Sequence, residues 1–150
     1  MVQVEGMARA RSRVMLVLDS AITLAFVFSD QLDEGVAQVF DQAAAEGVLV
    51  PQHWRLEVAN ALALAVHRGR IDSEFRAGAL ADLSLLCIET DPNTDAHAWT
   101  DTLAFAERFR LTLYDAAYLE LAHRRNLPLA TLYEDLRVAA RTASVPLLPA

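Results

Sequence analysis

The sequence predicts an α/β fold with a parallel sheet covered on both faces. Short aliphatic runs such as Val14-Met15-Leu16-Val17-Leu18 and Val48-Leu49-Val50 leave no residue for a wet face, the pattern of fully buried strands. Longer segments with helical periodicity separate these runs, and strands that alternate with helices build parallel sheets. At 150 residues, with 54% hydrophobic and 22% charged content, the chain is long enough for one domain with a full core. Residues 1–13 are expected as a flexible tail and residues 14–150 as that domain.

Each element has a local reason. A first strand over 14–18 stops at Asp19. Helices near 21–29 and 33–45 follow, the second ended by Gly47, a residue that favours helix ends. A short strand at 48–50 is halted by Pro51, and Pro51-Gln52-His53-Trp54 opens a helix to about His67, with Arg68-Gly69-Arg70 as its exit. Asp72-Ser73 caps a helix over 73–85. A strand at 88–90 ends in Asp91-Pro92-Asn93, after which Thr94 or Asp95 starts a helix to about Arg108. The helix around Asp115 runs to Arg125 and stops at Asn126. A strand at 128–131, a helix at 134–142 and a strand at 145–148 complete about five strands.

Composition excludes several classes. The five glycines never cluster, so a P-loop or dinucleotide-binding turn is not expected. The one cysteine rules out a disulfide framework and suits a reducing cytosol; in Leu85-Leu86-Cys87-Ile88 it reads as an inert core thiol. Arg9, Arg11 and Arg13 before the first apolar run imitate a signal peptide, but Asp19 interrupts that run and no small-residue cleavage site follows. Met7 and Met15 are alternative starts. No stretch is long enough for a membrane span. The net charge of −7 argues against a protein that coats nucleic acid, yet leaves room for an enzyme whose metal supplies local positive charge.

Three acids stand where the chain turns into its core. Asp19 follows the first strand, at the carboxyl end where parallel sheets place ligands; it also has the position of a helix cap. Trp54, Val58, Ala61, Leu62 and Ala65 mark a buried stripe, and Glu57, three residues after Trp54, falls inside it. A snorkelling edge residue gives the same pattern. Asp115 opens the apolar helix of Leu111-Thr112-Leu113-Tyr114-Asp115-Ala116-Ala117-Tyr118, again a capping position, and points with Leu119 and Ala122. Three inward carboxylates repel one another unless a cation is bound. Oxygen donors alone suit Mg²⁺ or Mn²⁺, and such a site can orient water for in-line attack on a phosphodiester. Asn60, one turn after Glu57, is placed to hydrogen-bond a ligand carboxylate or a metal-bound water.

With these residues in hand, the chain resembles the PIN-domain family, and within it the VapC-type ribonuclease toxins of toxin–antitoxin pairs. Val17-Leu18-Asp19-Ser20-Ala21 matches the first family motif. Pro51, Trp54, Glu57, Val58 and Asn60 match a Pro-x-x-Trp-x-x-Glu-Val-x-Asn pattern, and residues 114–118 match a Tyr-Asp-Ala-Ala-Tyr run outright. The resemblance covers nearly everything from Val14 to Leu148. It implies a PIN-like three-layer α/β/α sandwich around the parallel sheet. It also implies an Mg²⁺-dependent endoribonuclease in which Asp19, Glu57 and Asp115 are the catalytic metal ligands, supported by Asn60, Ser20 and Thr131. A cytoplasmic homodimer, inhibited by an antitoxin lying across the active-site groove, is implied with it.

One position departs from the family. A fourth acid usually follows the Leu-Ala-Thr-Leu strand, and here Leu129-Ala130-Thr131-Leu132 leads into Tyr133. Glu134 and Asp135 come next, either as favourable charges at a helix N-terminus or, for Asp135, as the replacement ligand. The loss supports a rival reading, a PIN-like protein that binds RNA or a partner without cutting. A phosphatase of the dehalogenase type would need Asp-x-Asp at the first strand, where position 21 is Ala. His53 with Glu57, and His97 with Asp101, have the i, i+4 spacing of a transition-metal pair but no obvious third ligand, and read as surface histidines. Trp99, Phe105 and Phe109 read as one packing face; Arg68, Arg124 and Arg125 read as solvated charges able to guide a phosphate.

Overall fold

The computed structural model describes residues 14–29 and 33–150. The expected tail, with Arg9, Arg11, Arg13 and Met7, lies outside the described residues. Five short strands pair side by side and all in parallel: β1 (Leu16–Leu18), β2 (Val48–Val50), β3 (Ile88–Thr90), β4 (Leu129–Ala130) and β5 (Leu147–Leu148). Their order in the sheet is β3-β2-β1-β4-β5. Every residue of β1, β2 and β4 is buried, which is why these runs carry no polar alternation.

Eight helices connect the strands among the described residues: α1 (Ser20–Phe28), α2 (Glu34–Glu46), α3 (Trp54–His67), α4 (Ser73–Leu83), α5 (Thr94–His97), α6 (Asp101–Phe109), α7 (Leu113–Arg125) and α8 (Glu134–Thr142). Several ends are set by side chains. The Asp33 carboxylate accepts from the Gly35 and Val36 amides, that of Asp72 from Phe75, and the Thr112 hydroxyl from Asp115. Gly47 ends α2 with φ +84° and Asn126 ends α7 with φ 55°, the left-handed geometry that stops helices.

The strand order explains where a ligand goes. The chain steps from β1 to β2 to β3 in one direction, then crosses back to β4 and β5. Right-handed crossovers therefore put α1–α4 on one face of the sheet and α5–α8 on the other. The reversal falls between β1 and β4, and a crevice opens at the carboxyl ends of strands at such a point. Asp19 follows β1 and Thr131 follows β4.

The structure corrects some local expectations. Cys87 is exposed, not an inert core thiol, because β3 is an edge strand with a half-buried Ile88 and wet Glu89 and Thr90. The helix expected to reach 85 stops at Leu83, leaving Leu85 in solvent. The helix expected from Thr94 or Asp95 to Arg108 is broken at 98–100, where Thr100 has φ −119° and ψ −100°. Trp99 lies in that break and is 90% exposed, so it shares no face with Phe105 and Phe109, which stack with ring centroids 6.0 Å apart. None of the helices is long and apolar enough to cross a membrane, among the described residues.

Candidate metal-binding site

Asp19 is 3% exposed and begins α1. Its Oδ1 accepts the Ile22 amide at 2.8 Å, so the cap reading is correct and does not exhaust the residue. The Thr131 hydroxyl donates to the same carboxyl group from the end of β4. Burial pushes the Asp19 carboxyl up to about 6 from 3.8; the two hydrogen bonds hold it down, and the charges of Asp115 and Glu57 raise it further. The three acids named from the sequence thus share one electrostatic environment at the carboxyl edge of the sheet.

Glu57 reaches this edge from the first turn of α3 and Asp115 from the first turn of α7, on opposite faces of the sheet. A buried phenol joins them. Tyr118, one turn after Asp115 and fully buried, donates its hydroxyl to Glu57 Oε1 at 2.5 Å. Burial, then this bond, drive the phenol far above its ordinary value, while a hydrogen bond from Ser20 opposes the shift. His53 Nε2 sits 3.4 Å from Glu57 Oε1, and its ring meets that of Tyr118 edge-on at 5.1 Å. One turn before Glu57 on α3, Trp54 Nε1 donates to Thr23 Oγ1, whose hydroxyl in turn donates to the Asp19 carbonyl. Glu57 is therefore a held residue at the edge of the stripe, half-buried.

The remaining expectations divide. Ser20 and Thr131 lie against the cluster, Ser20 through Tyr118 and Thr131 through Asp19. Asn60 is exposed on the next turn of α3, and the structure shows no hydrogen bond from it to the three carboxylates. Asp135 is exposed, and its Oδ2 accepts the Tyr133 hydroxyl at 2.9 Å. That bond raises the Tyr133 phenol, and the charges of Asp135 and Asp115 add to the rise. The donor set fits a hard dication, being carboxylates with one buried at raised pKa. The structure does not bring oxygens of Asp19, Glu57 and Asp115 all within 4.8 Å of one another; Asp19 Oδ1 accepts the Ile22 amide and Glu57 Oε1 the Tyr118 hydroxyl. A cleft of about 310 Å³, lined by His53, Leu56, Ala98, Tyr114 and Ala117 among others, opens beside them.

The PIN domain family model matches residues 16–142. The chain belongs to the PIN domain family. PIN domains are typically metal-dependent nucleases. Two solved structures share the fold. PAE2754 from Pyrobaculum aerophilum superposes with a TM-score of 0.63 at 22% identity, over 85% of this chain and 86% of that one. FitAcB from Neisseria gonorrhoeae does so with a TM-score of 0.62 at 18% identity, over 89% of this chain and 96% of that one. No curated protein matches the sequence.

Sequence reasoning missed a second polar group in this PIN domain. Arg124 is no solvated charge. Its guanidinium donates to Asp91 Oδ2 at 2.6 Å and to Glu120 Oε1 at 2.7 Å, and both acids are buried. Against the penalty of burial, the Arg124 guanidinium, the Asn93 amide and the Thr94 hydroxyl hold the Asp91 carboxyl below its ordinary value. Glu120 and Arg124 have the spacing of a helical ion pair, a signal available in the sequence. Asp91 lies 33 residues away and had none.

Proposed function

We propose that this protein is an Mg²⁺- or Mn²⁺-dependent endoribonuclease and the toxin of a toxin–antitoxin pair. What supports this reading is that Asp19, Glu57 and Asp115 stand at three helix starts around the switch point of the sheet, with Asp19 buried there. Asp19, Glu57 and Asp115 are the residues that hold the cation. When bound, it supplies the positive charge that draws in a phosphodiester and makes a nucleophile of water at neutral pH. Tyr118 keeps Glu57 oriented, and Thr131 does the same for Asp19. His53 Nε2, within 3.0 Å of the Tyr114 carbonyl and near Glu57, closes the side of the site that faces the neighbouring cleft. The resemblance read from the sequence supplies the antitoxin, the homodimer and the cytoplasm.

The test is cleavage of RNA with and without Mg²⁺ or Mn²⁺, beside an RNA-binding assay in chelator. Metal-dependent cleavage lost in Asp115→Asn is the expected result. A second reading, binding without cutting, rests on Tyr133, which stands in place of the fourth acid with its hydroxyl bonded to Asp135. RNA bound in chelator and left intact by both metals would decide for it.

A further inference from the structure

A different cluster lies on α5, α6 and α7. His97 Nδ1 is 3.6 Å from Asp101 Oδ2 and 3.6 Å from Glu120 Oε1. These three form the one group of His, Cys, Asp or Glu residues, among the described residues, whose ligand atoms all lie within 4.8 Å of one another. We propose that His97, Asp101 and Glu120 form a second metal site, specific for a transition-metal dication of the zinc class and separate from the acidic pocket.

Distances support it first. Donors about 2.0–2.2 Å from a tetrahedral zinc stand roughly 3.3–3.5 Å apart, close to the two separations that meet at His97. Donor type agrees, since an imidazole with two carboxylates suits zinc better than Mg²⁺. Charge is a third argument. Asp91, Glu120 and Asp101 bring three negative charges, and Arg124 returns one, so a dication makes the group neutral. Arg124 is also what fixes Glu120: two bonds at 2.7 and 3.2 Å orient a carboxylate that is 3% exposed. Exposure is graded from buried Glu120 through half-buried His97 to Asp101 in solvent, and the group lines a cleft of about 370 Å³. A cation has a way in, and its fourth position opens on water. The site would clamp the broken α5–α6 segment to α7.

Separation from the acidic pocket follows from α7. Glu120 and Arg124 lie five and nine residues after Asp115, about 8–14 Å along the helix and about 140–180° around it. The clamp can therefore be tested with the pocket disabled. Zn²⁺ and Co²⁺ are titrated into the full-length Glu57→Gln, Asp115→Asn double variant, read by calorimetry, by melting temperature and by the visible absorption of bound Co²⁺. One equivalent with a tetrahedral Co²⁺ spectrum and a raised melting temperature is expected, with binding lost on adding His97→Ala. Asp101→Asn, at an exposed position outside the Arg124 pairs, should weaken binding by about tenfold or more and guards against a misfolded His97 variant. No Co²⁺ spectrum in the double variant, or binding untouched by both substitutions, overturns the site. The outcome is independent of RNA cleavage.

Discussion

Replacing Asp19 with Asn should stabilise the metal-free protein, and only above a defined pH. In the folded chain the Asp19 carboxyl sits at about 6 against 3.8 for the ordinary group, so folded protein holds this proton more tightly than unfolded protein does. Its favourable contribution is complete below pH 3.8 and is lost as pH rises through 6. A difference of about two pKa units corresponds to about 3 kcal/mol. Asn does not titrate, and its amide oxygen can still accept the Ile22 N–H, so the cap is kept. The stability of Asp19→Asn minus that of wild type should therefore climb by about 2.4 kcal/mol between pH 4 and pH 7.5, most steeply near pH 5, midway between the two pKa values. Taking the difference cancels the titration of the other carboxylates to first order.

Urea unfolding of both proteins in EDTA, at half-unit pH steps, measures this directly. Divalent cation should undo the effect for wild type alone, because a ligand that binds only the folded state adds about 2.7 kcal/mol at one hundred times its dissociation constant. A stability difference flat across this range, or one that falls as pH rises, would show that Asp19 is not a strained anion and would remove the electrostatic basis of the site.

Other expectations follow from single contacts. Glu57→Gln and Asp115→Asn should each abolish RNA cleavage while circular dichroism stays native, and retained wild-type rates in Asp115→Asn would end the assignment. Tyr118→Phe removes one hydroxyl and should cost about 1.5–3 kcal/mol in urea unfolding, with more Mg²⁺ needed for half-maximal cleavage; an unchanged Mg²⁺ requirement would leave Tyr118 purely structural. Arg124→Met leaves Asp91 and Glu120 buried without a counter-charge and should cost about 3–5 kcal/mol, against well under 1 kcal/mol if Arg124 were a solvated charge. Tyr133→Asp should tighten divalent binding and raise cleavage at low Mg²⁺ while Asp135→Asn does little; no gain from Tyr133→Asp with equal damage from Asp135→Asn and Asp115→Asn would make Asp135 the replacement ligand.

The sequence was legible where the signal is local. Strands such as Val48–Val50 show as unbroken apolar runs, and Asp72 announces the helix whose Phe75 amide it caps; at α7 the cap is Thr112 and not Asp115, whose amide Thr112 accepts. Asp19 was read as either cap or ligand, and the structure shows why the alternatives do not compete: one carboxylate oxygen caps α1 while burial and neighbouring charge shape the group as a whole. Long-range pairing was illegible. Tyr118 and Glu57 lie 61 residues apart, and nothing in either segment names the other. His97 and Asp101 read as surface residues because Glu120, the acid that completes them, lies 23 positions further on and looks like a stray charge in an apolar helix. Cys87 was misplaced since an apolar run on an edge strand looks the same as one in the centre of a sheet.

How a chain of net charge −7 keeps three more acids at one edge of a sheet follows from helix starts. Asp19 is the N-cap of α1, Glu57 lies in the first turn of α3 and Asp115 in the first turn of α7. Each carboxylate thus sits at the positive end of a helix, where the peptide dipoles favour an anion by about 0.3–1 kcal/mol. Folding can bring the acids together because each arrives on its own helix, with partial compensation already attached. The compensation falls short of the burial cost at Asp19, about 3 kcal/mol by the linkage above. Helix starts can assemble such a cluster, and the shortfall is relieved by protons or by a cation, or else is carried by the stability of the rest of the fold. Protons meet it only below about pH 6, so on the proposed reading the acidic edge at neutral pH is where a dication would offset the repulsion.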